Sequence, residues 1–296
     1  MQEKYLPVPG GRVWCRVMGA DRPGLPLLIL HGGPGVPHDY LEPLAALATE
    51  RPVIFYDQLG CGNSDRPSDP ELWTVARFVE ELDQVRQQLG LHRLYILGQS
   101  WGATLALAYL RAQGQEGVAG VVLAAPAVDL PQWVTDQRAY VEELPPEVRK
   151  VILAREAAQD FASPEYQKAA EVYYQRHLCR LDPWPASLER TLDKMGRQVY
   201  EHMWGPAEFT CIGTLRDVNL RGVLPGLTIP VLYTCGEFDE ARPATVRGFA
   251  AVTPGARVAV LAGASHMHHL EKEAEFLKLL REFLAEAAPG KKVPRR

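Results

Sequence analysis

The 296-residue sequence has few cysteines, no long apolar run and no excess of positive charge. Its five cysteines are odd in number and lack Cys-x-x-Cys spacing, which argues against a disulfide framework and a structural zinc site and predicts reduced thiols. No stretch reaches the roughly 18 apolar residues of a membrane span, and residues 1–9 lack the apolar run of a secretory signal. These absences predict a cytoplasmic protein without a membrane partner.

The charge balance excludes another class of partner. A formal net charge of -4 gives no reason to expect nucleic acid. Apolar residues make up 47% and charged residues 23% of the chain, a composition typical of globular proteins. The length accommodates one large domain, or a core with an inserted subdomain.

Short apolar runs alternate with helical patterns along most of the chain. Because the runs are almost continuously apolar, they predict parallel strands in a sheet covered on both faces. A hairpin at 9–11 precedes them, and a periodic pattern over 75–89 with Gly90 at its end predicts a crossover helix. The runs occupy 27–30, 53–56, 94–97, 121–123, 231–233 and 258–261, and 271–287 reads as a closing helix. The pattern predicts an α/β fold with a mostly parallel sheet.

The segment 128–209 interrupts this alternation. It contains helix-like stretches separated by prolines at 131, 145, 146, 164, 183 and 185. We interpret it as a helical cap over the carboxyl ends of the strands, where loops carry function; the alternative is that these helices simply extend the core. The predicted organisation is a core in two parts, 1–127 and 210–296, with the cap at 128–209.

The pentapeptide around Ser100, Gly98-Gln99-Ser100-Trp101-Gly102, follows one predicted strand and precedes an Ala/Leu-rich helical run. A serine on a Gly-flanked strand-to-helix turn is a nucleophile elbow. The turn leaves no room for side chains at the two glycines and holds the serine oxygen above the end of the sheet. The same pattern also occurs in loops whose serine only caps a helix. Whether Ser100 is a nucleophile therefore depends on whether the chain also supplies a base and an acid.

A serine nucleophile needs an imidazole to accept its proton and a carboxylate to orient that imidazole. In this kind of sheet the order along the chain is serine, acid, histidine. Asp239 and His266 each follow one of the two late strands and fit that order. The competing residues are Glu237, Glu240, His268 and His269. A metal site at the histidines lacks a suitably spaced acidic or cysteine partner, so we expect neither a metal nor a cofactor.

Attack on an acyl carbon creates an oxyanion that needs backbone N–H donors. Trp101 follows the nucleophile and supplies one of them. The loop His31-Gly32-Gly33-Pro34-Gly35 supplies the other, which we assign to Gly33. Without the nucleophile elbow, we would interpret this loop as a tight turn with no catalytic role.

Taken together, these motifs resemble the prolyl aminopeptidases, also called proline iminopeptidases, of the α/β-hydrolase superfamily. The resemblance covers most of the core: the motifs at 31–35, 56–64, 98–102 and 236–240, and Ser265-His266. It implies the α/β-hydrolase fold and release of an N-terminal residue, preferentially proline, from short peptides with a free N-terminus. Some of these motifs also occur in related esterases and amidases.

The resemblance also implies a site for the amino terminus of the substrate. Glu240 and Glu208 look like the family's two carboxylates that bind it; on the residues alone they would read as solvated loop side chains. Two converging carboxylates repel each other, and a bound ammonium relieves that repulsion. Trp204, together with Trp101, is a candidate wall for the proline ring, although aromatic residues more often simply pack.

The hypothesis from the sequence is a serine exopeptidase that acts through an acyl-enzyme. One rival is a serine esterase or amidase on the same scaffold, in which the two glutamates have no substrate role. Another is a noncatalytic ligand-binding protein with a hydrolase fold. That rival requires a damaged triad, whereas Ser100, Asp239 and His266 are all present.

Overall fold

The structure is a computed structural model and describes residues 1–286. An eight-stranded sheet in the order β1-β2-β4-β3-β5-β6-β7-β8 runs through the molecule. β2 pairs antiparallel with β1 and β4, and the remaining neighbours pair parallel. The strands are β1 (Gln2–Val8), β2 (Gly11–Met18), β3 (Leu27–Leu30), β4 (Val53–Tyr56), β5 (Leu94–Gln99), β6 (Val118–Ala124), β7 (Val231–Gly236) and β8 (Arg257–Leu261). This sheet confirms the predicted fold class.

Ten α-helices connect or flank these strands within the described residues. They are α1 (Val75–Gln88), α2 (Trp101–Gln113), α3 (Leu130–Glu142), α4 (Pro146–Ala157), α5 (Pro164–His177), α6 (Ala186–Asp193), α7 (Arg197–Met203), α8 (Pro243–Val252), α9 (His268–Glu271) and α10 (Glu273–Glu286). A longer 3₁₀ segment covers His38–Thr49, and shorter ones cover Pro70–Leu72 and Arg221–Gly226. Where the sequence predicts one closing helix over 271–287, the structure has α9 and α10 interrupted at Lys272; Ala287 lies outside the described residues.

The central strands form the middle of the hydrophobic core. Every residue of β3, β4 and β5 is buried, as expected for strands covered by helices on both faces. α1 has the predicted amphipathic pattern, and the Thr74 side chain caps its first turn by accepting a hydrogen bond from Arg77 N–H. Burial on both faces fixes the positions of the carboxyl ends of these strands.

Helices α3 to α7 lie between β6 and β7 in the sequence, although these two strands pair directly, with Val121 opposite Val231. The chain leaves and re-enters the sheet region at adjacent points, because Leu130 N–H donates to Val218 C=O and Leu220 N–H donates to Val128 C=O. These hydrogen bonds pair residues 128–130 with residues 218–220. Part of the insertion has a hydrophobic cluster of its own: Tyr140, Val141, Leu144, Ile152, Tyr166, Ala169, Ala170, Tyr173, Ala207 and Phe209.

The sequence predicts reduced cysteines and no membrane-spanning segment. All five cysteines are buried and free of disulfides. Among residues 1–286, no helix is both long enough and apolar enough to cross a membrane.

Candidate active site

Ser100 occupies the turn between β5 and α2 with φ 55° and ψ -119°. The turn is tight: a Cβ atom on Gly98 would lie 2.2 Å from the Gly102 carbonyl oxygen, and one on Gly102 would lie 2.1 Å from the Leu30 carbonyl oxygen. Both positions therefore require glycine. A serine at positive φ stores about 1–3 kcal/mol of strain, and such strain concentrates at functional sites. The local geometry is that of a nucleophile elbow.

Asp239 and His266 form a hydrogen-bonded pair at the same edge of the sheet. They follow β7 and β8, and the distance from His266 Nδ1 to Asp239 Oδ1 is 2.7 Å. Asp239 is fully buried and also accepts hydrogen bonds from the N–H groups of Gly236, at 3.0 Å, and Ala241, at 2.8 Å. These bonds fix the carboxylate, so the imidazole is held through Nδ1 and its Nε2 remains for proton transfer.

The hydrogen bonds of the described residues include none between Ser100 and His266. Hydrogen bonds of this catalytic type are often long before substrate binds and tighten in the complex. The topology nevertheless places the two residues at one edge, because β5, β6, β7 and β8 are consecutive parallel neighbours in the sheet.

The competing acid and imidazole groups have other partners. Glu237 is exposed and accepts a hydrogen bond from the backbone of the β8 exit loop. His268 Nδ1 lies 3.7 Å from Asp239 Oδ2, and burial lowers the pKa of His268 to about 4. His269 is buried, and its Nε2 lies 3.2 Å from the backbone carbonyl oxygen of Tyr40 on the 3₁₀ segment. Of the three neighbouring histidines, His266 has the short contact with Asp239.

The loop after β3 is attached to the elbow through Tyr40, which sequence reasoning did not identify. The Gly32 N–H donates to the Tyr40 hydroxyl at 2.7 Å, and that hydroxyl donates to Gln99 Oε1 at 2.6 Å. A Cβ on Gly32 would lie 3.2 Å from the Ser100 Cβ. Tyr40 carries no motif of its own, because its partner Gln99 is 59 residues away in the sequence.

The backbone N–H groups of Gly33 and Trp101 are unused. Within residues 1–286 neither donates a hydrogen bond, whereas the Gly32 N–H is occupied by Tyr40. Gly33 has φ +109°, and a Cβ there would lie 2.6 Å from the Val36 nitrogen. Two free donors next to the nucleophile are what an oxyanion hole requires.

The indole of Trp101 packs in the core, and its role as a wall of the proline pocket stays a prediction. It has no exposed surface, it donates to Gln58 Oε1 at 2.8 Å, and it packs edge-on against Phe78. The side chain is therefore part of the core, while its backbone faces the elbow.

Trp204 is also fully buried, and its role in the proline pocket stays a prediction. Its ring lies 5.4 Å from that of Trp133, which in turn lies 6.0 Å from the His266 ring. Trp133 and Trp204 both donate from Nε1 to the Glu208 carbonyl. The two indoles thus hold the loop that carries Glu208.

Glu208 and Glu240, called here the carboxylate pair, come from the insertion and from the loop after β7. Glu208 is half-buried, and its Oε1 accepts a hydrogen bond from the Tyr200 hydroxyl at 2.6 Å. Glu240 is fully buried, and neither carboxylate oxygen has a hydrogen-bond partner among the described residues. Burial, followed by the charge of Glu208, raises the pKa of Glu240 well above its usual value; burial also raises the pKa of Glu208.

The insertion contacts both catalytic loops at the end of α5. His177 Nδ1 lies 2.9 Å from the carbonyl of Phe238, which precedes Asp239. The His266 N–H donates to the His177 carbonyl at 3.0 Å, and the Met267 N–H donates to the Leu178 carbonyl at 2.9 Å. Sequence reasoning missed His177 because nothing in its helical surroundings marks it.

One group of side chains in the described part of the chain has the donor types of a metal site: His38, Asp39 and Glu42. Its carboxylates already face cations. Lys194 Nζ lies 2.8 Å from Asp39 Oδ1, and Arg190 Nη2 lies 2.5 Å from Glu42 Oε2. We therefore interpret the group as part of an ion-pair network between the core and α6.

Comparison with known proteins identifies the family of the chain. The profile of a family described as alpha/beta hydrolase fold matches residues 26–273. A proline iminopeptidase of Heyndrickxia coagulans is 41% identical over 283 residues, which cover 95% of this chain and 98% of that protein. A proline iminopeptidase of Saccharolobus solfataricus is 38% identical, with 96% and 92% covered. The chain belongs to the proline iminopeptidase family of α/β hydrolases.

The fold of this chain is also similar to solved structures. The crystal structure of a proline iminopeptidase from Mycobacterium smegmatis has a TM-score of 0.89 at 36% identity, with 97% of this chain and 98% of that one covered. The crystal structure of VinJ has a TM-score of 0.93 at 36% identity, with 97% and 99% covered. An esterase from Exiguobacterium antarcticum, at 19% identity and a TM-score of 0.69, shares the fold.

Proposed function

We propose that the protein is a serine exopeptidase that releases an N-terminal residue, preferentially proline, from short peptides with a free N-terminus. The observation that carries this proposal is the carboxylate pair. A buried carboxylate without a partner is costly, and a substrate ammonium between Glu208 and Glu240 supplies the missing charge. A blocked N-terminus offers no such charge, so the pair selects for unblocked substrates.

In the proposed mechanism Ser100 attacks the carbonyl carbon while His266 accepts the hydroxyl proton. Asp239 keeps the imidazole oriented, and the N–H groups of Gly33 and Trp101 stabilise the oxyanion. His266 then gives its proton to the leaving amine, and an acyl-enzyme remains. Water, activated by the same imidazole, attacks the acyl-enzyme and releases the free amino acid.

The negative charges of the carboxylate pair also affect the pKa of His266, the general base. Burial lowers the pKa of His266, but the charges of Asp239, Glu240 and Glu208 together outweigh burial and raise this pKa to about 9. At neutral pH an imidazole of that pKa is largely protonated, so only a small fraction of it can accept a proton from Ser100. A bound ammonium compensates the negative charges, so the correct substrate itself makes the base available.

The deciding experiment compares hydrolysis of prolinamide with that of N-acetylprolinamide. We expect kcat/KM for the free amide to exceed that of the blocked amide by about 100-fold, because the blocked substrate leaves the carboxylate pair unpaired. Ser100→Ala should abolish turnover of both. Equal rates on the two amides, or a strong preference for simple esters, would favour the esterase or amidase alternative. Failure of a fluorophosphonate probe to label Ser100 would instead favour a noncatalytic protein.

We further propose that residues 128–209 form a cap over this site and that 1–127 and 210–296 form the core, with residues 287–296 outside the described part. The five helices between β6 and β7 and the separate cluster around Tyr166 and Phe209 support the cap. We also propose a cytoplasmic location, where the five buried cysteines stay reduced.

A further inference from the structure

A cavity of about 1320 Å³ lies among helices α5, α6 and α7 and the segment 205–217, and it is open to solvent. Glu208 and Tyr200 belong to its wall, and so does Met267, which follows the catalytic imidazole. The cavity therefore adjoins the proposed site. Its volume exceeds the ~300–1,000 Å³ of typical ligand pockets and is far larger than a prolyl ring requires.

The direction of the substrate follows from the burial of the carboxylate pair. Glu240 has no exposed surface, so the amino terminus of a bound substrate lies at a closed end. An exopeptidase substrate has nothing before that terminus. Everything beyond the scissile bond must therefore extend toward solvent, and the open cavity, whose wall includes Met267 next to His266, offers that space.

The wall of the cavity is apolar over much of its extent. α6 and the segments flanking it contribute Trp184, Leu188, Leu192 and Met195, and Ile212 belongs to the same wall. Leu192 is 39% exposed and Ile212 is 53% exposed, so both side chains present apolar surface to the cavity.

The charged residues of the wall carry both signs. They are Glu171, Arg197, Glu201, Glu208, Arg216 and Asp217. Apart from the Glu208 carboxylate, three acidic and two basic side chains remain, so the wall carries a small net negative charge and does not favour an acidic residue after the scissile bond.

We propose that this cavity binds the part of the substrate that follows the scissile bond and that it selects peptides with a large apolar residue directly after the N-terminal proline. The inference rests on the proposed exopeptidase function and names the substrate class of the same site. The apolar side chain of that residue leaves water when it packs against the wall around Leu192 and Ile212.

The test measures kcat/KM for Pro-Phe-NH2, Pro-Gly-NH2 and Pro-Asp-NH2 with the full-length enzyme. We expect Pro-Phe-NH2 to exceed each of the others by about tenfold or more, because a phenylalanine side chain is removed from water. The double variant Leu192→Ser/Ile212→Ser should lower the Phe-to-Gly ratio several-fold. The matched control is Leu153→Ser/Val252→Ser, which replaces two similarly exposed apolar side chains outside the cavity, at 41% and 38% exposure. The control should keep the wild-type ratio.

Two results would overturn the inference while the proposed function stands: equal kcat/KM for the Phe and Gly substrates, or a Phe-to-Gly ratio that the Leu192 and Ile212 changes leave untouched. A failure of the proposed function looks different, because it shows with substrates that have no residue after the scissile bond: prolinamide is then not cleaved, or N-acetylprolinamide is cleaved at the same rate. The wild-type substrate series decides even if the double variant does not fold.

Discussion

Glu208 and His266 depend on each other at the level of single side chains. Glu208 contributes to the raised pKa of His266, and the positive charge of His266 in turn lowers the pKa of Glu208, although burial dominates there. Neutralising one glutamate therefore has two separate consequences. It weakens the binding of a substrate ammonium, and it lowers the pH at which His266 loses its proton.

We expect Glu208→Gln to shift the pH profile in a defined direction. With p-nitrophenyl acetate, which has no amino group, the acidic limb of kcat/KM should have a midpoint near 9 in the wild type, the pKa of His266. In the variant it should move to lower pH by about one unit, because a negative charge near the imidazole is lost. With prolinamide at neutral pH, where the substrate amine is protonated, kcat/KM should fall by about tenfold or more.

Glu147→Gln is the control for this charge change, since Glu147 is exposed on α4 and lies outside the site. Its profile should match the wild type. An acidic limb that stays in place in Glu208→Gln would show that Glu208 does not act on His266.

The end of helix α5 is the element that joins the insertion to the catalytic loops. His177 reaches the acid loop through its ring and the histidine loop through its carbonyl. Its ring also stacks on Tyr140 at 4.2 Å, and burial lowers its pKa, which favours the neutral form that can donate from Nδ1. We infer that His177 is a positioning residue for Asp239 and His266.

We expect His177→Leu to lower kcat by about five- to tenfold with little change in KM, because the Phe238 carbonyl loses a hydrogen bond worth about 1 kcal/mol. His177→Asn keeps a donor near the same place and should recover most of kcat. Rates are divided by the concentration of sites that a fluorophosphonate probe titrates, so unfolded protein does not count. If the loss of kcat disappears after that correction, the role of His177 is only structural.

At the level of elements, the sequence predicts the strands and α1 well, because their signals are local. The continuous apolar runs match β3 and β4 residue for residue, and Gly90, at φ +63°, follows the end of α1 as expected. The contacts of His177 and Tyr40 could not be predicted in this way. Each joins segments that are tens of residues apart, and only packing brings them together.

In the whole molecule, an ion-pair network attaches α6 to the core. Asp39 is buried in the 3₁₀ segment and faces Lys194 at 2.8 Å and Arg190 at 3.7 Å. Arg190 also pairs with Glu42. Since Lys194 and Arg190 are partly exposed, each ion pair contributes about 1 kcal/mol or less to the free energy of unfolding. Dissolved salt screens this attraction.

We therefore expect Asp39→Asn to increase amide hydrogen exchange in α6 several-fold at low ionic strength, with a smaller difference at high salt. Hydrogen exchange followed by mass spectrometry measures this. Asp217→Asn is the matched control, because the pair of Asp217 with its neighbour Arg216 joins no two elements. Equal exchange in α6 of the wild type and Asp39→Asn would show that the network does not hold this helix.

The sequence by itself determined the fold class and a triad hypothesis, because apolar runs, the glycines of the elbow and the order of Ser100, Asp239 and His266 are local features of the chain. Residue reasoning alone left Glu208 and Glu240 as ordinary loop residues, and the family resemblance was needed to single them out. Only the tertiary structure decided that Glu240 is buried without a partner, that the Gly33 N–H is free while that of Gly32 is taken, and that an apolar cavity adjoins Glu208. The physical reason is that burial, hydrogen-bond satisfaction and empty space depend on segments that meet only when the chain folds.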